Sequence, residues 1–253
     1  MSTAVPTRLP SGMTNSYPKE LLGLYSNSNP FNVHRIEDDF DWLGATGVKY
    51  TIVAATGSVA GAAGNGGRVL FTTGATAADF VQIQQPFASF LPTLGRRMFF
   101  ATRIQVSELT TQAWAVGMMQ KTATYGTITD GMMFVKATGT TNINLIHYVG
   151  SVATLTIPIP ASAFTPIAAG DFDIGFLLDH KGNLKAFANT VANGGLFGYY
   201  PQSGGAPYRE AIAGGIVPAL TTAVLTPTLG TTTNAAAAVT MNADFLLAAG
   251  ERA

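Results

Sequence analysis

Residues 171–190, DFDIGFLLDHKGNLKAFANT, alternate apolar and polar side chains, reverse at a glycine and alternate again. A period of two puts every second side chain on one face of an extended strand, so this stretch reads as a half-buried β-hairpin and not as an amphipathic helix. Phe172, Ile174, Phe176 and Leu178 make the apolar face, with Asp171, Asp173 and Gly175 opposite. The turn is DHKGN, where Gly182 can adopt a positive φ. Leu184, Ala186 and Ala188 continue the apolar face on the return strand.

The same period recurs along the chain. In GVKYTIVA, Val48, Tyr50, Ile52 and Ala54 share a face; in RRMFFATRIQV, Phe100, Thr102, Ile104 and Val106 oppose Phe99, Arg103 and Gln105. QAWAVGMMQ, DGMMFVKA and NINLIHYV follow, the last with Ile143, Leu145 and His147 on one side. ATLTIPIP aligns Leu155, Ile157 and Ile159, and Pro158, lacking an amide donor, marks a sheet edge or a strand end. AVTMNADFLLAA reads as strict alternation through Val239, Met241, Ala243, Phe245 and Leu247. GSVAGAAGNGG reads as a Gly/Ala-rich loop feeding a strand at 69–72. Short strands with turn residues between them, and no long amphipathic helix, predict an all-β antiparallel β-sandwich of jelly-roll type. Within 190–238, NGGLFGYYPQSGGAPY predicts a long loop, and LTTAVLTPTLGTTTNAAAA predicts strands joined by a flexible loop. Core strands flank this region, so residues 34–253 are expected to form one sandwich. Residues 1–33, rich in Ser, Pro and Asn, read as an extended arm. One helical turn is expected at Tyr17–Tyr25, where Leu21, Leu22 and Tyr25 share a face; Tyr17, Leu21, Leu22 and Tyr25 are the candidate arm contacts.

The chain has 253 residues, enough for one large all-β domain with a sizeable core. Fourteen Lys and Arg balance fourteen Asp and Glu, and charged residues make up only 11%. Such a surface offers no electrostatic footprint for nucleic acid or an anionic membrane, and little repulsion between copies, which suits a subunit of an assembly. With no cysteine, disulfides, thiolate metal sites and thiol nucleophiles are excluded. The first thirty residues contain no apolar run of the signal-peptide kind, and no stretch has the length of a membrane span. A soluble protein made in the cytoplasm is the expectation.

RIEDDFDW gathers Glu37, Asp38, Asp39 and Asp41, a set that could supply oxygens to Ca²⁺. It lacks the glycine and terminal glutamate of an EF-hand loop, and the reading preferred is a solvated turn with Phe40 and Trp42 buried. Asp171 and Asp173 share a strand face with the geometry of paired carboxylates, while Asp179 sits in the turn. The three histidines, His34 on the arm, His147 on a strand and His180 in a turn, show no metal-ligand spacing and no partner serine. His147 reads as a satisfied core histidine. GAAGNGG lacks the Lys-Ser/Thr ending of a phosphate loop. Tyr199, Tyr200 and Tyr208, in GYYPQSGGAPY, could stack on a sugar or anchor a partner, or could close the sandwich end. No catalytic residue, cofactor or metal is expected.

FFATRIQV, WAVGMMQ, DGMMFVKA, FDIGFLLDHKGNLKAFAN and the closing VTMNADFLL, taken in order, resemble concanavalin A-like lectin/glucanase sandwiches, laminin-G-type modules included. The resemblance covers about the central and C-terminal two-thirds of the chain and implies the fold. It implies no sugar or metal site, because no Asp/Asn calcium loop matches and the Glu-x-Asp-x-x-Glu pattern of laminarinase-type glycosidases is absent. EDDFDWLGA, GRVLFTTGATAADFVQIQQP and the terminal ADFLLAAGERA resemble virion proteins of tailed bacteriophages in which a polar arm precedes a lectin-like sandwich. That resemblance implies a capsid cement or decoration subunit on the virion surface, not an enzyme. Its partners would be the major capsid protein, reached by the arm, and copies of itself in a homotrimer. The alternatives are a carbohydrate-binding module of a phage fibre or tail, using Tyr199, Tyr200 and Tyr208, and a polysaccharide hydrolase using Asp171 or Asp173.

Overall fold

The computed structural model describes residues 7–8, 14–15, 33–40, 49–62, 67–124, 127–190 and 211–251. These form seventeen strands and, among the described residues, no helix. In chain order they are β1 (Thr7–Arg8), β2 (Thr14–Asn15), β3 (Val33–Asp38), β4 (Thr51–Ala54), β5 (Ser58–Ala62), β6 (Arg68–Thr72), β7 (Phe80–Gln84), β8 (Met98–Val106) and β9 (Gln112–Gln120). The second half supplies β10 (Gly131–Lys136), β11 (Ile143–Val149), β12 (Val152–Pro158), β13 (Asp171–Leu178), β14 (Asn183–Thr190), β15 (Ala213–Ile216), β16 (Leu225–Thr233) and β17 (Thr240–Glu251). The helical turn expected at 17–25 lies outside the described residues.

Two antiparallel sheets make the sandwich. The seven-stranded sheet runs β12-β11-β10-β9-β16-β7-β4. The eight-stranded sheet runs β15-β14-β13-β8-β17-β6-β5, and β3 joins it beside β6 by pairing with the last half of β17. The 171–190 hairpin is β13 and β14, with Phe172 opposite Thr190, Leu178 opposite Leu184 and Gly182 at φ 82°. Its apolar face meets the other sheet. Phe172 lies 5.9 Å from Trp114 and Phe176 lies 6.3 Å from Phe134, centroid to centroid, with Phe100 stacked on Phe176 at 5.6 Å. Ile104, Met118, Leu145, Leu184 and Leu229 complete one continuous core. On the other side of β13, the backbone of β8 comes so close to Gly175 that a Cβ there would stand 2.7 Å from the Phe100 carbonyl oxygen. Pro158 ends β12, which is an edge strand, so its missing donor costs no ladder bond.

Three elements differ from the sequence reading. Ser58–Ala62, expected in a loop, is the short edge strand β5; its small side chains carry no periodic signal. The Thr-rich stretch, expected as strands joined by a flexible loop, holds one unbroken central strand over 225–233, whose Thr226, Thr228, Thr231 and Thr233 are buried. The alternation of β17 breaks at a bulge between Ala243 and Phe245. One extra residue shifts every later side chain to the other face, so Leu246 and Ala248 enter the main core while Phe245 and Leu247 face outward.

The strand registers sort the loops by end. Met98 pairs with Leu178 and Gly250, Gly131 with Met119 and Tyr148, and Asn183 with Ile216. Connections 85–97, 121–130, 150–151, 179–182 and 217–224 therefore gather at one end, the proximal end. Connections 55–57, 73–79, 107–111, 137–142, 159–170 and 234–239 gather at the distal end. Truncating the central ring by Phe176→Ala should cost about 3–5 kcal/mol of stability, read as a lowered urea midpoint with an unchanged slope.

Candidate functional site

The acidic pair of β13 sits on the outer face of the eight-stranded sheet, among arginines. Arg68 of β6 donates from Nη1 and Nη2 to the two Asp171 oxygens at 3.2 and 2.8 Å. Arg103 of β8 donates from Nε and Nη2 to the two Asp173 oxygens at 2.7 and 3.2 Å. Asp244, the residue inserted by the β17 bulge, bridges the two guanidiniums at 3.3 Å from Arg103 Nη1 and 3.8 Å from Arg68 Nε. Burial pushes the Asp244 carboxyl above its usual range, against the pull of Arg103 and Arg68. Bidentate guanidiniums occupy acceptor lone pairs of Asp171 and Asp173. Neither oxygen pair faces a second carboxylate across an open gap, the arrangement that glycoside hydrolysis needs. Asp179 is a turn residue: its carboxylate accepts from the Lys181 and Asn183 amides at 2.8 and 2.9 Å.

The first acidic cluster is not the solvated turn expected. Asp38 is 4% exposed. Its Oδ1 accepts from the Phe40 amide at 2.8 Å and from Lys49 Nζ at 2.7 Å, and Oδ2 accepts from the Tyr50 hydroxyl. Burial, then the Asp38 charge, pushes the Tyr50 phenol far above its ordinary value. The Asp38 contact also secures Phe40, buried and in the left-handed region at φ 55°. Glu37 pairs with Arg35, while Asp41 and Trp42 lie outside the described residues. No group of three or more His, Asp or Glu poised for a metal occurs among the described residues.

His34 belongs to strand β3 rather than to the arm. Its ring lies 4.7 Å from Phe90, and Nε2 is 2.8 Å from Ser89 Oγ. His180 is exposed in its turn, as expected. His147 faces the core, but it is only half satisfied: Nδ1 meets Thr154 Oγ1 at 2.7 Å, while buried Nε2 has no hydrogen-bond partner. Lys136 was missed as a special residue, although the alternation in DGMMFVKA places it in phase with Met132 and Phe134. It is 1% exposed and donates to the Gln112 carbonyl, and burial pulls its ammonium below the usual range.

Among the described residues, neither outer face leaves large apolar side chains open. On the seven-stranded sheet, Ile128 packs with Ala115, Met119 and Met133, and buried Gln84 joins the Thr122 amide to the Thr228 hydroxyl. On the eight-stranded sheet, Phe99, Leu177, Phe187 and Leu247 form a second buried cluster. The exposed large hydrophobic residues stand at the loop ends instead. Phe87, Leu91, Leu94, Val152, Ile216 and Val224 are at the proximal end, and Ile167 is at the distal end. The sequence candidates Tyr17, Leu21, Leu22, Tyr25, Tyr199, Tyr200 and Tyr208 lie outside the described residues.

No protein-family model and no curated protein matches the sequence. Solved structures do match in fold. The CBM2 module of the evolved Dit of Lactobacillus casei BL23 phage J-1 aligns with a TM-score of 0.56 at 9% identity, over 88% of this chain and 97% of that one. An endo-1,3-β-glucanase from Streptomyces sioyaensis aligns at 0.53 and 13% identity, over 88% and 98%. Arcelin-5, a lectin-like defense protein of Phaseolus vulgaris, aligns at 0.52 and 6% identity, over 87% and 99%. At these identities the likeness establishes the concanavalin A-like sandwich fold.

Burial lowers the His147 pKa, with Asp130 opposing, so the neutral imidazole is the folded form. A folded pKa below the unfolded value gives stability that is complete above about pH 6.5 and declines as the pH falls below it. His147→Gln should therefore flatten the loss of urea midpoint between neutral and mildly acidic pH relative to the unsubstituted chain.

Proposed function

We propose that this chain is a non-enzymatic structural subunit of a tailed-bacteriophage virion. In this reading it is a capsid cement or decoration protein on the head surface that binds the major capsid protein and copies of itself. The observation that carries the reading is the placement of the exposed apolar side chains: they collect at the loop ends, while the acidic residues that could serve a hydrolase are engaged by Arg68 and Arg103. A sandwich with quiet faces and apolar ends is suited to packing against other proteins. Near-zero net charge suits a dense lattice of copies. The arm adds a second, separate contact, and several weak contacts per subunit multiply into firm attachment on a repeating shell. Homotrimers on local three-fold axes are the form proposed, with the arm reaching the capsid protein.

A second reading, a carbohydrate-binding module of a phage fibre or tail, is favoured by the likeness to the phage Dit CBM2 module and to a lectin-like protein. It would rest on Tyr199, Tyr200 and Tyr208, since the described residues expose no tyrosine or tryptophan. A glycan array with the intact chain separates it from the first.

Co-sedimentation with capsids built from the major capsid protein tests the primary reading. The full chain should pellet with the capsids, and deletion of residues 1–32, which precede β3, should abolish pelleting while the strand signature by circular dichroism persists. An arm-deleted chain that still coats capsids overturns the role given to the arm. A full chain that never does overturns the cement reading.

A further inference from the structure

We propose that copies of this chain associate head to tail, the proximal loop end of one seated on the distal loop end of the next. This deepens the self-association named above and rests on that reading only for its biological use; the contact itself requires no capsid.

The proximal end is one continuous surface. The Phe90 amide and carbonyl bond Leu225 at 3.1 and 2.6 Å, which sets Leu91 beside Val224. The Gly95 amide reaches the His180 carbonyl at 3.1 Å, and the Val217 amide reaches the Gly182 carbonyl at 2.9 Å. The 179–182 turn thus links Leu94 to Ile216. Asp130 ties the 150–151 turn, next to Val152, to Thr221 through the Gly150 amide at 3.3 Å and the Thr221 hydroxyl at 2.5 Å. Phe87 and Leu94 are 80% and 71% exposed, and with Leu91 and Val224 they concentrate apolar surface at one end, the kind of patch that marks a contact site for a partner.

Charge identifies that partner. The proximal connections carry Arg96, Arg97, Lys121 and Lys181 against Asp130 and Asp179. Arg97 is paired with Glu251; among the described residues no ion pair forms at Arg96, Lys121 or Lys181. Among the described residues the distal connections contain no Lys, Arg or His; they carry half-buried Glu108 and Asp79, which is 8% exposed. The Thr56 hydroxyl and the Thr76 amide hold Asp79 ionised, and the Thr110 amide does so for Glu108. Two proximal ends would bring Arg96, Lys121 and Lys181 against their own copies, whereas a proximal end on a distal end brings these cations to the Glu108 carboxylate. The described distal residues also include exposed Ala236, Ala237 and Ala238, and Ile167, the remaining exposed large apolar residue. The small alanine side chains give Phe87, Leu91 and Leu94 a surface to lie against. The N-terminal segment 1–32 is a poorer occupant, because Arg8 and Lys19 outnumber Glu20. Joining unlike ends is a heterologous contact, which closes into a ring, a trimer included, where the rotation allows, and otherwise extends as a filament.

Sedimentation velocity of the purified full chain over a wide concentration range, with no capsid present, tests the contact. The mass should rise with concentration, and added salt should oppose the rise. Leu94→Asp, at an exposed site, should weaken association about tenfold with the fold intact by circular dichroism. Lys121→Glu with Lys181→Glu should weaken it too, and mixing that variant with a Glu108→Lys variant should restore association. Four results would overturn the proposal: a monomer at every concentration, association that Leu94→Asp leaves unchanged, association strengthened by salt, or a monomer that floats with phosphatidylserine vesicles. Failure of capsid binding would leave the proposal standing, and so the two claims fail separately.

Discussion

The contact between Phe172 and Phe176 on one sheet and Trp114 and Phe134 on the other holds the two layers at their spacing, and most of the architecture follows from it. Each ring is essentially fully buried. Each occupies an in-facing position of a strict two-residue period, so its neighbours in sequence are forced outward. That geometry sends Asp171 and Asp173 to the outer face of β13, where Arg68 and Arg103 meet them. It also leaves Gly175 at the point where β8 crowds β13. Of the polar residues that point inward, His147 and Lys136 stand toward the two ends of the core, while Thr102, between Phe100 and Ile104, donates its hydroxyl to the Phe245 carbonyl at 2.6 Å.

The electrostatic arrangement follows the same division. Several of the chain's few charges form pairs between strands far apart in sequence, Arg68 with Asp171 and Arg103 with Asp173, and Lys49 pairs with Asp38 across the 39–48 connection. These pairs lock sheet positions together and leave the outer faces without a free acid or base in the described strands. Among the described loop residues outside such pairs, Arg96, Lys121 and Lys181 stand with Asp130 at the proximal end, and Glu108 and buried Asp79 stand at the distal end. A molecule with no net charge thus keeps a direction along its strands.

The alternating segments were legible because burial of one sheet face imposes a local period that a single strand displays. The 171–190 hairpin, the edge position of Pro158 and the two-sheet class could all be read that way. Strand β5 could not, because Ser58, Gly61 and their alanine neighbours bury little and so leave no pattern. The bulge at Asp244 was invisible for another reason: one inserted residue leaves composition unchanged while reversing the faces of Phe245 and Leu246. Asp38 looked solvated because its partners, Lys49 and Tyr50, come from the next strand region. His34 looked like part of an arm because its sheet partner, Gly250, lies at the far end of the sequence. The candidate site was less legible than the fold. The exposed Phe87, Leu91 and Leu94 have the composition of a core segment, and only the three-dimensional placement of 85–97 across the strand ends turns them outward.

Sheet faces closed among the described residues, with the exposed large apolar side chains gathered mostly at one end, support the proposal that contacts are made through the ends. Amide hydrogen exchange of the full chain, compared between dilute and concentrated solutions, tests this most directly. The account predicts that protection on concentrating appears at 86–96 and 217–224 on one end and at 107–111 and 234–238 on the other, with the faces of both sheets unchanged. Protection confined to the outer strands of either sheet, with those loops exchanging as before, would contradict it.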